Sequence, residues 1–167
     1  MKREITKSKL QLRKATEADL DIIMQLIREL ADYEKLSDQV VITKAQLKNV
    51  LFGKNKFVEV WLAEFDGKIA GQVLFFQNFS TFVGKPGLYI EDLFVLPEFR
   101  GKGIGKKLLL KVVELAAERN CGRVEWLVIN WNKPAIDFYK SMLAKPLNEW
   151  TVFRLSEDKF EKLLNKE

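Results

Sequence analysis

Residues 93–106 read Leu-Phe-Val-Leu-Pro-Glu-Phe-Arg-Gly-Lys-Gly-Ile-Gly-Lys, and this segment is the clearest indication of the fold class. Its apolar start predicts a strand that ends at Pro97, because proline cannot donate to a hydrogen-bond ladder. An apolar stripe with helical spacing begins near Gly103 and predicts a long helix directly after the turn. The unpaired backbone N–H groups and the dipole at the start of such a helix favour a phosphate group.

The glycines of this turn match neither of two common nucleotide-binding motifs. The Gly-x-x-x-x-Gly-Lys-Ser/Thr motif of NTP-binding proteins has no match in the chain. In the dinucleotide fingerprint, Lys106 stands where the third glycine would be required after Gly101 and Gly103. Arg100 and Lys106 add positive charge beside the turn. On glycine spacing alone, a strand-to-helix turn that binds no ligand is the alternative interpretation.

Hydrophobic periodicity predicts further elements on both sides of the turn. Upstream it predicts a strand over 10–13, a helix over 17–33 with a capping box at Thr16, a helix from Thr43 to before Gly53, and strands over 57–65, 69–79 and 88–95. Downstream it predicts a strand over 123–129, a helix capped by Asn132, a strand over 150–155 and a terminal helix capped by Ser156. The order β-α-α-β-β-β-α-β-α-β-α predicts one mixed α/β domain over 1–167.

The composition excludes several classes of protein. The chain has 167 residues, no histidine and a single cysteine, Cys121. Without histidine, neither a Ser-His-Asp or Cys-His nucleophile nor a histidine-based zinc site can exist within it. One cysteine, no signal-like N-terminal segment and no membrane-length apolar run predict a cytoplasmic protein without a membrane partner. The net charge of +5 is spread without a block of like charges, so no nucleic-acid partner is predicted.

Two spaced blocks resemble the GNAT acetyltransferase superfamily. Arg100-x-x-Gly103-x-Gly105 matches its Arg/Gln-x-x-Gly-x-Gly/Ala signature and stands between a predicted strand and a long helix, as in that family. The block 132–140, Asn-Lys-Pro-Ala-Ile-Asp-Phe-Tyr-Lys, resembles the family's second conserved block, and one strand separates the two. The resemblance covers residues 10–155. It implies a GNAT fold, which is a twisted, mostly antiparallel mixed sheet, splayed at its centre and flanked by helices.

Three further segments resemble the diamine (spermidine/spermine) acetyltransferase branch, which includes enzymes acting on lysine-like amino acids such as thialysine. They are Glu-Leu-Ala-Asp-Tyr-Glu at 29–34, Tyr-Ile-Glu-Asp-Leu-Phe-Val at 89–95 and Trp-Asn-Lys-Pro at 131–134. The resemblance implies acetyl-CoA-dependent N-acetylation of a small primary amine by direct attack in a ternary complex, and a homodimer. A peptide or protein N-acetyltransferase and a non-catalytic CoA-binding regulatory module are the alternatives.

The resemblance also implies where acetyl-CoA binds, between the strands predicted over 88–95 and 123–129. Main-chain groups of the first strand would polarise the thioester carbonyl, and the glycine-rich turn would cradle the pyrophosphate. The implied cofactor-binding residues are Leu93, Phe94, Val95, Arg100, Gly101, Lys102, Gly103, Ile104, Gly105, Lys106, Asn132, Pro134 and Ala135. No metal is expected in the site.

Two residues are candidates for proton transfer. The resemblance implies that Tyr139 protonates the departing CoA thiolate. Glu91 is the expected base for the acceptor ammonium, directly or through a water, since the chain has no histidine. The implied acceptor-binding residues are Tyr33, Glu34, Glu91, Asp92, Glu125, Trp126 and Glu149. The alternative interpretations are a packed aromatic for Tyr139 and a solvated helix face for the carboxylates of 29–34.

Leu143 departs from the family pattern. Family members commonly carry a glycine after the Tyr-Lys/Arg segment, where the helix ends in a left-handed residue. Leucine is disfavoured in that conformation. We therefore expect the helix that carries Tyr139 to end differently.

Overall fold

The fold is that of a computed structural model, which describes residues 10–165 of the chain. Residues 1–9, within the segment predicted to contain no signal sequence, lie outside the described residues. Contacts divide the chain into two compact units, Met1–Leu127 and Val128–Glu167. Within the described residues, the first unit holds the sheet and three helices, and the second holds two helices. The single domain over 1–167 stays a prediction.

The elements follow the predicted order with one exception. The strands are β1 (Leu10–Lys14), β2 (Val58–Phe65), β3 (Lys68–Ser80), β4 (Lys85–Val95) and β5 (Arg123–Trp126). The helices are α1 (Leu20–Glu34), α2 (Lys44–Phe52), α3 (Ile104–Glu118), α4 (Lys133–Ser141) and α5 (Phe160–Leu164). Single 3₁₀ turns lie at Glu17–Asp19, Ser37–Gln39, Pro97–Phe99 and Glu157–Lys159.

The sheet is mixed and opens at one junction. Its strands lie in the order β1-β2-β3-β4-β5, and every pairing is antiparallel except the parallel pairing of β4 with β5. That parallel pairing joins Gly87–Ile90 to Arg123–Trp126. Residues of β4 beyond Ile90 therefore have no partner on β5, as the splayed sheet predicts. Strand β5 is shorter than the predicted strand over 123–129.

A β-bulge interrupts β4 at Glu91. In the ladder with β3, Ile90 pairs with Phe75 and Asp92 pairs with Leu74, so Glu91 is the extra residue. An extra residue changes the face of the sheet on which the following side chains lie. The two halves of β4 consequently bury their alternate side chains on opposite faces of the sheet.

The packing identifies these two faces. Leu74 and Phe94 belong to the buried core that α1 and α2 form with the sheet. Phe75 lies on the opposite face, where the guanidinium of Arg119, at the end of α3, is 5.9 Å from its ring centre. Because Asp92 pairs with Leu74 and stands two residues before Phe94, it lies on the face covered by α1. We call this the α1 face.

The start of α1 is fixed to β1 by polar contacts. The backbone N–H of Thr16 donates to Asp19 at 2.8 Å, as the predicted capping box requires. The guanidinium of Arg13 binds both oxygens of the same carboxylate, each at 2.8 Å. These donors hold the pKa of Asp19 well below its usual range, although burial acts in the opposite direction. The ion pair therefore anchors the helix that covers the α1 face.

One prediction near the end of the chain is wrong. Residues 150–155 form no strand, and Trp150 and Phe153 are 71% and 93% exposed. Their apolar and β-branched residues were the signal, but a strand also needs a neighbouring strand, which the sequence does not specify. Ser156 is the N-cap of the 3₁₀ turn Glu157–Lys159, as predicted, although its carbonyl and not its side chain accepts from the N–H of Lys159. The predicted terminal helix follows over Phe160–Leu164.

Candidate active site

The glycine-rich turn leaves an open surface at the start of α3. Gly101 and Gly103 both have φ of 75°, a conformation that favours glycine. A Cβ atom placed on either residue would meet no atom within 4 Å. Gly103 is the residue before the first turn of α3, whose N–H groups have no partners within the helix. A ligand can therefore approach this backbone closely.

Arg100 connects the turn to α1. Its Nε donates to the carbonyl of Val95 at 3.0 Å. Its guanidinium lies 4.7 Å from the ring centre of Tyr33 and 5.5 Å from that of Phe94. The predicted cofactor-binding arginine thus also contacts a predicted acceptor-binding residue.

Three lysines add positive charge around the start of α3. The ammonium of Lys102 donates to the carbonyl of Glu98 at 3.0 Å and lies 5.1 Å from the ring centres of Phe65 and Phe99. Lys106 and Lys107 are exposed on the first turns of the helix. The cationic groups and open backbone fit an anionic ligand at this helix start.

Three carboxylates lie together near the junction where β4 and β5 separate. Glu91 and Asp92 follow Ile90, the last residue of β4 paired with β5, and Glu34 is the last residue of α1. Burial raises the pKa of Asp92 to about 7, and the negative charges of Glu91 and Glu34 contribute. Burial also raises the pKa of Glu34. The structure therefore brings together three of the predicted acceptor-binding residues, among which Glu91 is exposed at the bulge.

The remaining predicted acceptor residues of the sheet are at the end of β5. Glu125 forms an ion pair with Arg123 at 2.8 Å and accepts from the Nδ2 of Asn78 at 3.4 Å. Its charge is therefore balanced locally. Trp126 is half-buried and is the last residue of β5.

The second unit carries the other predicted site residues. Asn132 is buried and caps α4, where its side chain accepts from the N–H of Ala135 at 3.4 Å. Pro134 lies in the first turn, as predicted. Tyr139 is half-buried on α4, and its ring centre is 5.2 Å from that of Phe138. Glu149 is exposed in the segment after the helix.

The expectation that Leu143 changes the end of α4 is wrong. Leu143 adopts φ of 65°, the left-handed conformation that glycine usually supplies. The N–H of Ala144 donates to the carbonyl of Tyr139 at 3.1 Å, and that of Leu143 to Lys140 at 3.0 Å. The helix therefore ends in the left-handed residue of the family pattern, here a leucine that is 91% exposed.

Sequence reasoning missed Gln72, a residue on the same face of the sheet as Asp92. Its side chain is fully buried in β3. A lone glutamine within the apolar run 69–76 was the available signal, because uncharged amides are seldom buried without a role in hydrogen bonding.

Comparison with known proteins identifies the family. A model of the Acetyltransferase (GNAT) family matches residues 23–143. The chain belongs to the GNAT acetyltransferase family. Within it, the chain is 39% identical to the thialysine N-epsilon-acetyltransferase of Sus scrofa, over 93% of this chain and 97% of that protein. It is 34% identical to an L-ornithine N5-acetyltransferase of Arabidopsis thaliana, over 89% of this chain and 85% of that protein.

Two solved structures resemble this chain over most of its length. An integron cassette protein of V. cholerae has a TM-score of 0.76 and 27% identity, over 93% of this chain and 98% of that one. An aminoglycoside acetyltransferase from a soil metagenome, solved with sisomicin, has a TM-score of 0.70 and 26% identity, over 88% and 94% of the two chains. The predicted mixed α/β GNAT fold is therefore confirmed.

These relatives define the chemistry in general terms. This GNAT chain is an N-acetyltransferase that acts on amines, and the family uses acetyl-CoA as its co-substrate. Across residues 10–165, no cluster of three or more acidic or cysteine side chains is arranged to hold a metal ion. No helix in that range has the length and apolar character needed to span a membrane.

Proposed function

We propose that this protein acetylates a small primary amine, a polyamine or diamine or a lysine-like amino acid, with acetyl-CoA as donor and by direct attack in a ternary complex. One observation carries the choice of acceptor. In a chain of net charge +5, the carboxylates of Glu34, Glu91 and Asp92 converge at the opening between β4 and β5. Such a group attracts a cationic amine. Relatives that act on thialysine and ornithine support the same class.

The first unit fits acetyl-CoA, which supplies an activated acetyl group when bound. The turn Gly101–Lys106 would hold the pyrophosphate, because its backbone is open and the first turn of α3 presents unpaired N–H groups. The main chain of Leu93–Val95, beyond the last β5 partner, would bind the pantetheine arm. A backbone N–H of this strand would donate to the carbonyl oxygen on which negative charge develops.

Two proton transfers complete the proposal. An alkyl ammonium has a pKa of about 10.4 and must lose a proton before its nitrogen attacks. Glu91 or its neighbour Asp92 would accept that proton, directly or through a water. A carboxyl with a pKa of about 7 is suited to this exchange near neutral pH. Tyr139 of α4 is the proposed donor to the departing thiolate, on the resemblance of its helix to the second family block.

The remaining proposals concern the whole protein. We propose that the protein is a homodimer, as the resemblance to the diamine branch implies. We also propose that it is cytoplasmic, as its cysteine usage predicts. The other implied residues, Asn132, Pro134 and Ala135 toward CoA and Tyr33, Glu125, Trp126 and Glu149 toward the amine, keep their proposed roles.

A screen of acceptors tests the function. Release of free CoA thiol is followed with acetyl-CoA and panels of polyamines, lysine analogues, ornithine and lysine-containing peptides. We expect turnover on small amines with two or more cationic groups. Turnover on peptides alone would identify a protein N-acetyltransferase. A CoA-dependent rise in Tm without turnover on any amine would identify a non-catalytic CoA-binding module.

Glu34→Gln tests the acidic cluster within that function. Removing one carboxylate should raise KM for a diamine without a comparable fall in kcat, because a binding contact common to ground and transition states is lost. The effect should be smaller for a monoamine of similar length and should shrink at high salt. Gln25→Glu on the exposed side of α1 is the control for a change of charge. Equal KM values on every amine would remove Glu34 from the acceptor site.

A further inference from the structure

Gln72 is a polar side chain at the centre of β3 with no exposed surface. Neither its Oε1 nor its Nε2 has a hydrogen-bond partner among residues 10–165. Its direct neighbours across the sheet are Leu62 on β2 and Phe94 on β4, both buried. A buried amide without a partner destabilises a fold, so an apolar residue would serve this position better for packing alone.

The sheet register places Gln72 beside the acidic cluster. Gln72 pairs with Phe94 and Leu74 pairs with Asp92, so Gln72 and Asp92 are diagonal neighbours on the α1 face. Diagonal neighbours in an antiparallel pair lie about 7–8 Å apart at Cα. A glutamine and an aspartate can span that separation through one bridging water.

Several charged groups lie around Gln72 and Asp92. Glu64, which follows Leu62 on the same face of β2, binds the Nε of Arg13 at 3.5 Å. Asp92 is acted on by Glu91 from its own strand and by Glu34 from α1. The guanidinium of Arg100 lies 5.5 Å from the ring centre of Phe94, the direct neighbour of Gln72. Among these carboxylates, Asp92 is the one that the sheet register places diagonally beside Gln72.

We propose that Gln72 is a positioning residue whose carboxamide is linked to the Asp92 carboxyl through one bridging water, which sets the orientation and charge of that carboxyl. The inference rests on the proposed function, in which Asp92 faces the acceptor amine. A water held by the amide and donating to a carboxylate stabilises the charged form, whereas burial and negative neighbours destabilise it. Loss of Gln72 should therefore raise the pKa of Asp92 further.

A carboxyl titration tests this without any turnover. Gln72→Leu and Gln72→Met are compared with wild type, and Gln77→Met, at an exposed position of the same strand, is the matched control. The ¹³C carboxyl resonance of Asp92, assigned by its loss in Asp92→Asn, is followed against pH. We expect the midpoint to rise by about one pH unit in both Gln72 variants and to stay unchanged in the control. Methionine keeps the length of glutamine, so this variant serves if leucine does not fold.

A different titration result would overturn the role proposed for Gln72. An unchanged Asp92 titration overturns the proposal, and a higher free energy of unfolding in Gln72→Met beside it would identify an amide without any partner. A second readout is the acidic limb of the pH profile of kcat/KM, which should move with the Asp92 midpoint in the Gln72 variants. In an Asp92→Asn background, the Gln72 substitution should leave that profile unchanged.

The proposed function and the proposed role of Gln72 can be overturned independently of each other. If the Asp92 midpoint moves but no amine is acetylated, the coupling of Gln72 to Asp92 stands and the proposed function fails. If an amine is acetylated and the midpoint does not move, the proposed function stands and the role of Gln72 is overturned.

Discussion

The guanidinium of Arg100 lies 4.7 Å from the ring centre of Tyr33, so the arginine of the glycine-rich turn stacks on the end of α1. Its Nε also donates to the carbonyl of Val95, the last residue of β4. Arg100 therefore connects the glycine-rich turn, α1 and β4, the three elements that would bind the acetyl donor and the acceptor amine. A planar guanidinium can make both contacts at once, whereas an ammonium is a point charge.

Arg100→Lys should weaken acetyl-CoA binding by about 10-fold, because the positive charge stays but the stacking and the fixed position of the turn are lost. Tyr33→Leu should produce a smaller loss, since it removes only the aromatic partner. Isothermal titration calorimetry with acetyl-CoA measures both. Arg28→Lys, on an exposed position of α1, is the control. Equal affinity in Arg100→Lys and Arg28→Lys would show that the turn holds its shape without Arg100.

Gly103→Val should reduce acetyl-CoA affinity beyond what its effect on folding explains. The space around its Cβ position is open, so the valine would fill the volume proposed for the pyrophosphate. Gly67→Val is the matched control, because Gly67 has φ of 77° and is equally open. Both variants should lose about 1–2 kcal/mol of stability from left-handed strain. Calorimetry should find weaker binding in Gly103→Val alone, and unchanged binding would place the phosphates elsewhere.

The strand, turn and helix around Gly103 could be predicted from the sequence because their signals are local. Proline ends the strand at Pro97, and glycine supplies the two left-handed residues of the turn. The bulge at Glu91 could not be predicted in this way, since it depends on register with β3. If the bulge is not known, the alternation of side chains along β4 cannot assign Asp92 to the α1 face beside Gln72.

The strand predicted over 150–155 is absent for a related reason, which is that pairing depends on distant residues. Its apolar residues fit a strand, but pairing is decided by partners far away in the sequence. At Leu143 the opposite error occurred, because local propensity was given too much weight. The hydrogen bond from Ala144 to Tyr139 holds the helix end although leucine disfavours the conformation.

Asp92→Asn should stabilise the fold in a pH-dependent manner. The pKa of Asp92 is raised to about 7 in the folded protein, whereas an unfolded aspartate has a pKa of about 3.9. Its contribution to stability is therefore fully present below about pH 4 and is lost as the pH rises to about 7. Urea denaturation at about pH 5 and about pH 8 should show a larger gain for Asp92→Asn at the higher pH. Asp38→Asn, at an exposed position, is the control, and a gain independent of pH would contradict the burial of Asp92.

Tyr139→Phe should lower kcat by about 100-fold if the hydroxyl protonates the departing thiolate. The aromatic contact with Phe138 survives the substitution, so Tm should hardly change. Acetyl-CoA affinity should also be retained, because the lost interaction belongs to the transition state. Phe138→Leu separates the ring contact from the hydroxyl, and steady-state kinetics on an accepted amine measures both variants. Wild-type kcat in Tyr139→Phe would make Tyr139 a packing residue.

Leu143→Gly should stabilise the protein by about 1 kcal/mol. Leu143 has φ of 65°, in which a Cβ atom is strained and glycine is not. Its side chain is 91% exposed, so little buried surface is lost with it, although the freer unfolded chain offsets part of the gain. Thermal and urea unfolding measure the change, and Leu143→Asn, which tolerates the left-handed region, should fall between the two. Leu147→Gly, at another exposed leucine of the second unit, is the control and should not stabilise. Equal or lower stability in Leu143→Gly would mean that the leucine side chain makes a compensating contact, and kcat measured alongside shows whether relieving the strain alters Tyr139.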